Sequence, residues 1–396
     1  MRARLAERLV PRLVQRLAMT TVFAGNGVAF GAWAANIPGV RAAAGLQDGA
    51  LGVVLLCVSL GAVGAMQVAG RFAGRVGTAR ASWMAGLLLM IALPVPALVP
   101  GFAALLASGV LLGMALGLLD VCMNAHAAWL ERAWGRPVMS SFHAGWSLGQ
   151  LLGAALAGAV AAWGLGVGWG LAIPAVAVGA CGLAALALPE APYERPASTR
   201  VAPGWPDRMI VVLGVLVACS FVIEGGTADW SSVYLQTVLS ASPAGASTSI
   251  AVYAAAMIAM RLGGDRLVAR FGAGLVVAGG GASAGVGVLI AVMAPGVAVG
   301  VFGFALVGVG GANVVPVLFS AAGARGAAGV AAVATAGYGA GLMAPPLIGW
   351  VSDGFGLRVG LGVLVVAALV LGLLGRSTRP AKNSDSDEGS CPGCRD

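Results

Sequence analysis

The sequence predicts an all-α membrane protein of about twelve transmembrane helices, folded as two pseudo-symmetric six-helix bundles. Three observations predict it: an apolar excess, a succession of apolar segments of spanning length, and basic residues gathered on one side of them. Hydrophobic residues are 59% of the 396 and charged residues 10%, with a mean hydropathy of +0.93. Soluble domains run at roughly 45–50% and 25%. A span takes about 20 apolar residues, so the chain accommodates about twelve with short connections.

Charges, Gly and Pro punctuate the spans near 17–38, 50–69, 81–99, 102–126, 139–162 and 168–188, and again near 209–237, 247–264, 273–293, 296–318, 329–350 and 357–375. Residues 1–16, with Arg2, Arg4, Arg8, Arg12 and Arg16, read as a basic cytoplasmic N-tail before an uncleaved first helix. The six-helix halves are 17–188 and 209–376. The proline- and charge-rich stretch 189–208 is the expected cytoplasmic linker, and 377–396 a disordered cytoplasmic C-tail. With both termini cytoplasmic, 21 of the 23 Lys and Arg fall on that side and only Arg41 and Arg358 outside, as the positive-inside rule requires. The expected location is the plasma (inner) membrane.

The net charge of +8 lies between apolar spans and makes no soluble basic face, so no nucleic-acid partner is expected. Cys57, Cys122, Cys181 and Cys219 lie in apolar runs, and Cys391 and Cys394 in the polar tail. No disulfide framework, metal site or cofactor follows from that spacing.

The halves repeat one another. Arg71, Arg75 and Gly77 recur as Arg266, Arg270 and Gly272 at an offset of 195. Gly117 to Asp120 recurs as Gly310 to Asn313 at 193, and Gly145 to Gly149 as Gly337 to Gly341 at 192. Ordered, near-constant spacing indicates a parallel duplication of six spans.

An acid inside a bilayer costs about 2.5–3.5 kcal/mol even on lenient scales, so intramembrane acids are functional candidates. Asp120, Glu224 and Asp229 qualify. Asp120 and Asn124, four apart, share one helix face with Gly113 and Gly117, and a carboxyl there can exchange a proton as a solute comes and goes. Its structural alternative is a hydrogen-bonded tie between helices. Glu224 precedes Gly225-Gly226, and the first span carries Gly25-Asn26-Gly27. Such mid-span glycines can break a helix and free its backbone for a ligand. Trp230 and Tyr234 are candidate stacking surfaces, with an interfacial anchor favoured for Tyr234. His143 divides evenly between cavity lining and packing, whereas His126 reads as an ordinary interfacial residue. Asn36, Gln150 and Asn313 either bind solute or tie helices together. No P-loop or nucleophile elbow is present, so neither an ATP-driven pump nor an enzyme is expected.

The segment Gly70-Arg71-Phe-Ala-Gly-Arg75-Val-Gly77 resembles the signature loop of the major facilitator superfamily, without that loop's usual acid. Arg261-Leu-Gly-Gly-Asp265-Arg266, running to Arg270-Phe-Gly272, is its second-half counterpart and keeps the acid. The resemblance implies the major facilitator fold, with these loops as cytoplasmic gates. Gly117-Leu-Leu-Asp120-Val-Cys-Met-Asn124 and Phe221-Val-Ile-Glu224-Gly resemble the fourth and seventh helices of the fucose and proton symporter branch. That implies proton or substrate roles for Asp120 and Glu224, although the first span offers only Asn26 and Asn36 where those symporters carry a second acid.

The expected function is alternating-access transport of a small polar organic solute, sugars among the candidates, with Asp120 exchanging a proton. A proton-linked exporter of drugs or metabolites is the alternative. A solute sensor that transports nothing is the rival of another class. The expected partners are the solute, protons and the lipid bilayer, and a monomer is the expected state.

Overall fold

Fifteen α-helices follow one another in the computed structural model, which describes residues 2–135, 138–191 and 207–378, with the side chains of 2–11, 140, 265, 326–328 and 331 outside that description. Most of the expected linker and C-tail, and with them Cys391 and Cys394, lie outside the described residues. The first half comprises α1 (Arg2–Ala43), α2 (Asp48–Val76), α3 (Thr78–Ala92), α4 (Phe102–Trp134), α5 (Met139–Ala162) and α6 (Val167–Leu183). The second comprises α7 (Arg208–Thr237), α8 (Pro243–Leu262), α9 (Gly264–Phe271), α10 (Ala273–Val292), α11 (Val297–Gly311), α12 (Val314–Gly323), α13 (Gly326–Phe355), α14 (Leu357–Gly360) and α15 (Gly362–Leu374). Among the described residues, 11 helical segments are long and apolar enough to cross a membrane. The 30-residue α13 stands where the remaining span is expected, its hydropathy diluted by glycines and by Pro345 and Pro346.

Local sequence sets the helix ends. Pro243 opens α8, where its missing N–H costs nothing, and the Ser242 hydroxyl accepts from the Gly245 N–H at 3.1 Å. Gly135 closes α4 in the left-handed region at φ 64°. α1 runs unbroken from the expected tail through the first span.

The duplication is visible in the packing. α1 lies on α5, α2 on α4 and α3 on α6; likewise α7 lies on α13, α8 on α11 and α10 on α15. The contacts repeat in register: a Cβ on Gly113 would meet the Val58 carbonyl, and one on Gly308 the Tyr253 carbonyl, the same pair displaced by 195. Small residues let these backbones touch in a medium where apolar side chains gain nothing by leaving lipid.

Breaks in helices fall elsewhere than expected. α1 is continuous through Gly25-Asn26-Gly27 and α7 through Gly225-Gly226. Gly27 instead admits the Trp146 carbonyl, and Gly226 the ends of Leu364 and Ile348. The second-half counterpart of α2 is the helix that breaks, at Gly263, where α8 passes into α9. Residues 243–271 match 48–76 position for position in length and offset. Opposite, Asn313 separates α11 from α12, and a Cβ on Gly264 would run into its side-chain amide.

Candidate solute cavity and its two ends

The halves are sealed together at the end bearing the α1–α2 connection. There the Gly49 N–H donates to Asp353 Oδ1 at 2.9 Å, and the Ser232 hydroxyl to the Ala34 carbonyl at 2.7 Å. Gly52 packs on the Pro345 carbonyl, Gly349 on the Asp48 carbonyl, and Arg41 pairs with Asp48 at 2.7 Å. Tyr338 of α13, 53% exposed, stands against Phe221 at 5.3 Å and within electrostatic reach of Asp120 on the other half. His143 of α5 is also exposed, edge-on to Phe23 at 5.3 Å.

Asp120 is half-buried on α4. Asn124 donates its amide to Asp120 Oδ1 at 3.1 Å and to the Asp120 carbonyl at 2.8 Å, so the four-residue spacing joins them as one polar pair. Asn26 is buried beside them, donating to the Leu116 carbonyl at 3.4 Å and accepting from Trp146 Nε1 at 2.9 Å. It thereby ties α1 to α4 and α5.

On the second half, Glu224 lies on α7 against Gly311, its Oε1 buried with no hydrogen-bond partner among the described residues. Arg261 and Tyr253 of α8 act on it electrostatically. Arg261, grouped in sequence with the gating loop, points instead into the interior. Its Nε donates to the Ala312 carbonyl and its Nη1 to Ser147 Oγ of the other half, each at 3.2 Å. The α8–α9 break turns the chain immediately after it, which frees the side chain from the loop it precedes.

Other expected site residues serve packing. Asn36 spends its amide on the Ala32 and Gly170 carbonyls at 2.8 and 3.1 Å, clamping α1 to α6. Gln150 is buried where Gly31 meets its carbonyl. Trp230, expected as a stacking surface, is instead 0% exposed within the core. Asp229 beside it is half-buried. Tyr234 is core as well, its hydroxyl donating to the Val292 carbonyl at 2.9 Å. Asn313 donates to the Met260 carbonyl at 3.2 Å and borders a separate lateral cavity of ≈ 320 Å³ with Leu267, Phe271 and Ser283.

At the α2–α3 end, Arg71 and Arg75 are exposed beside half-buried Gly70. Gly77 takes φ 88°, and a Cβ there would meet the Glu190 carboxylate. Glu190 pairs with Arg80 at 3.1 Å, bringing an acid from beyond α6 to a loop that lacks its own. Thr78 bonds to the Ala191 carbonyl at 3.1 Å and to His126 Nδ1 at 2.8 Å, so His126 is a buried part of this latch and not an interfacial residue. Arg266 and Arg270 are exposed, Arg270 lying 5.4 Å from the Phe271 ring centre, and the Asp265 side chain is outside the described residues. Gly77→Ala is expected to lower stability by about 1–2 kcal/mol through the left-handed backbone alone, read as a fall in thermal unfolding temperature.

Two helical bundles tied together at one end, each with acids inside its membrane-spanning helices, are the frame of a membrane transporter. The family is shown independently: residues 17–336 match the Major Facilitator Superfamily, and the chain belongs to it. An uncharacterised transporter of that superfamily type from Yersinia pestis is 32% identical over 375 residues, covering 93% of this chain and 96% of that protein. A point variant of the nucleoside transporter NupG superposes with a TM-score of 0.75 at 12% identity, over 92% of this chain and 99% of that one. A D-xylose–proton symporter superposes at 0.70 with 17% identity, over 92% and 98%. The protein is a multi-pass membrane transporter and not an enzyme.

Proposed function

We propose that the protein is a secondary active transporter that moves a small polar organic solute by alternating access, with Asp120 exchanging the coupling proton. The observation that carries this is the intramembrane Asp120 of one half, within electrostatic reach of exposed Tyr338 of the other, in a pair of bundles tied together at the α1–α2 end. A carboxyl in that position meets the requirement for coupling, since its proton can leave or arrive according to which side the site faces. The paired Asn124 supports the reading and the kinship to the fucose and proton symporter branch. The positive-inside pattern supports a cytoplasmic placement of the α2–α3 end and of both termini, and the reading takes the membrane to be the plasma membrane. A potential of 100 mV contributes about 2.3 kcal/mol per charge moved, enough to bias such a cycle.

The test is solute counterflow in proteoliposomes carrying a trapped pH dye, with sugars, polyols, organic acids and amphipathic drugs added singly. Exchange of one class with accompanying proton movement is expected. Binding without exchange would make the protein a sensor. The seal supplies a second expectation: Asp353→Ala removes the acceptor of the Gly49 N–H and favours the state open at that end. A cysteine introduced at Tyr338 should then react faster with an impermeant thiol reagent added from the sealed side, and an unchanged rate would contradict the role of Asp353.

A further inference from the structure

Arg261 is a half-buried guanidinium on a membrane-spanning helix, at the place where the two halves meet. A guanidinium presents five N–H groups in a planar fork that matches a carboxylate in two-point contact. Nε is spent on the Ala312 carbonyl and Nη1 donates to Ser147 Oγ, whereas Nη2 makes no hydrogen bond among the described residues. Glu224 provides the counter-charge and interacts with the Ser220 hydroxyl on its own helix; its buried Oε1 has no hydrogen-bond partner among the described residues, and no ion pair within 4 Å joins it to Arg261 there. Exposed His143 lies within electrostatic reach of the same guanidinium. A positive group with unspent donors, facing an acid that is not bound to it, is arranged to receive a second acid.

We propose that Arg261 anchors the solute in the cavity and that the solute carries a carboxylate, which takes the open side of the guanidinium while Glu224 takes up a proton. This rests on the transporter reading above. The charge balances: in the empty site the arginine cation faces the Glu224 anion, and in the loaded site it faces the solute anion beside a neutral Glu224. One proton enters the site with each carboxylate, and no uncompensated charge is left in the membrane. The titratable groups facing Glu224 among the described residues are Arg261 and Tyr253, both on α8. Lysine cannot reproduce the two-point contact, so the charge-conserving exchange isolates the geometry.

The experiment compares uptake of labelled D-glucuronate, D-glucose and D-glucosamine by proteoliposomes of wild type, Arg261→Lys and Glu224→Gln, each first shown monodisperse. Wild type is expected to take up glucuronate in preference to its neutral and cationic counterparts. Arg261→Lys should lose about 10- to 100-fold in apparent affinity for it. Glu224→Gln should still bind glucuronate, with the pH dependence of binding removed. Uptake of glucose or glucosamine in place of glucuronate, or unchanged glucuronate uptake by Arg261→Lys, overturns the proposal. Uptake of none of the three overturns it too. In that case spin-label distances across the two ends separate the possibilities: ends that still exchange leave the transporter reading standing, and ends that stay fixed remove it.

Discussion

Asp120→Asn should remove the proton that Asp120 exchanges from solute-driven proton movement, lowering the dye signal to what Glu224 alone supplies while the protein stays folded. The substitution preserves volume and keeps an oxygen where Asn124 donates at 3.1 Å, so the polar pair on α4 survives. The ability to hold and release a proton is lost. The variant should therefore exchange solute down its gradient, and that exchange should respond less to a pH difference than in wild type. In wild type, acidifying the side from which solute enters should raise accumulation, because the proton gradient then drives the same step. The measurement is proton flux and counterflow on the same vesicles. A proton flux undiminished in the asparagine variant would leave coupling to Glu224 alone.

The second large effect is on folding. Gly31→Val should cost more than about 3 kcal/mol and leave little monodisperse protein, since its Cβ would be driven into the Gln150 carbonyl. Gly149→Val has the same consequence from the other helix, against the Ala24 carbonyl. Both contacts are with backbone, which cannot rotate away as a side chain can, and α1 would have to leave α5 along its length. Gly64 has nothing within 4 Å of its would-be Cβ, so Gly64→Ala should be neutral or stabilise by up to about 1 kcal/mol. Thermal unfolding in detergent compares the three. An equal response would mean that the glycine contacts do not hold these helices together.

These glycines mark the boundary of what the sequence makes legible. Twelve spans and their duplication are readable because apolar length and the spacing of Arg71, Arg75 and Gly77 against Arg266, Arg270 and Gly272 are local properties. Whether a glycine breaks a helix or lets another helix approach depends on what lies opposite, and sequence does not carry that. Gly25, Gly27 and Gly226 therefore read as helix breakers although they are packing sites, whereas Gly263 and Gly264, read as part of a gating loop at the end of a span, mark the break between α8 and α9. The Asp120 and Asn124 pair was readable from its four-residue spacing. Arg261 was misgrouped because it sits four residues before Asp265, in register with the loop, and only the turn between α8 and α9 sends it inward. Tyr338 lay within the repeated Gly337 to Gly341 landmark. An aromatic in a glycine-rich span was the available signal for it. Trp230 reads as a stacking surface because its helix carries Glu224-Gly225-Gly226, and its complete burial decides otherwise.

The central claim is that one cavity serves both faces of the membrane in turn. It is tested most directly by two electron-spin distances on the same protein, one across the sealed end between labels at Ala44 and Gly354, the other across the opposite end between Arg75 and Arg270. Lowering the pH or adding a transported solute should lengthen the first distance and shorten the second together. Two distances that stay fixed, or that lengthen together, would contradict alternating access in this protein.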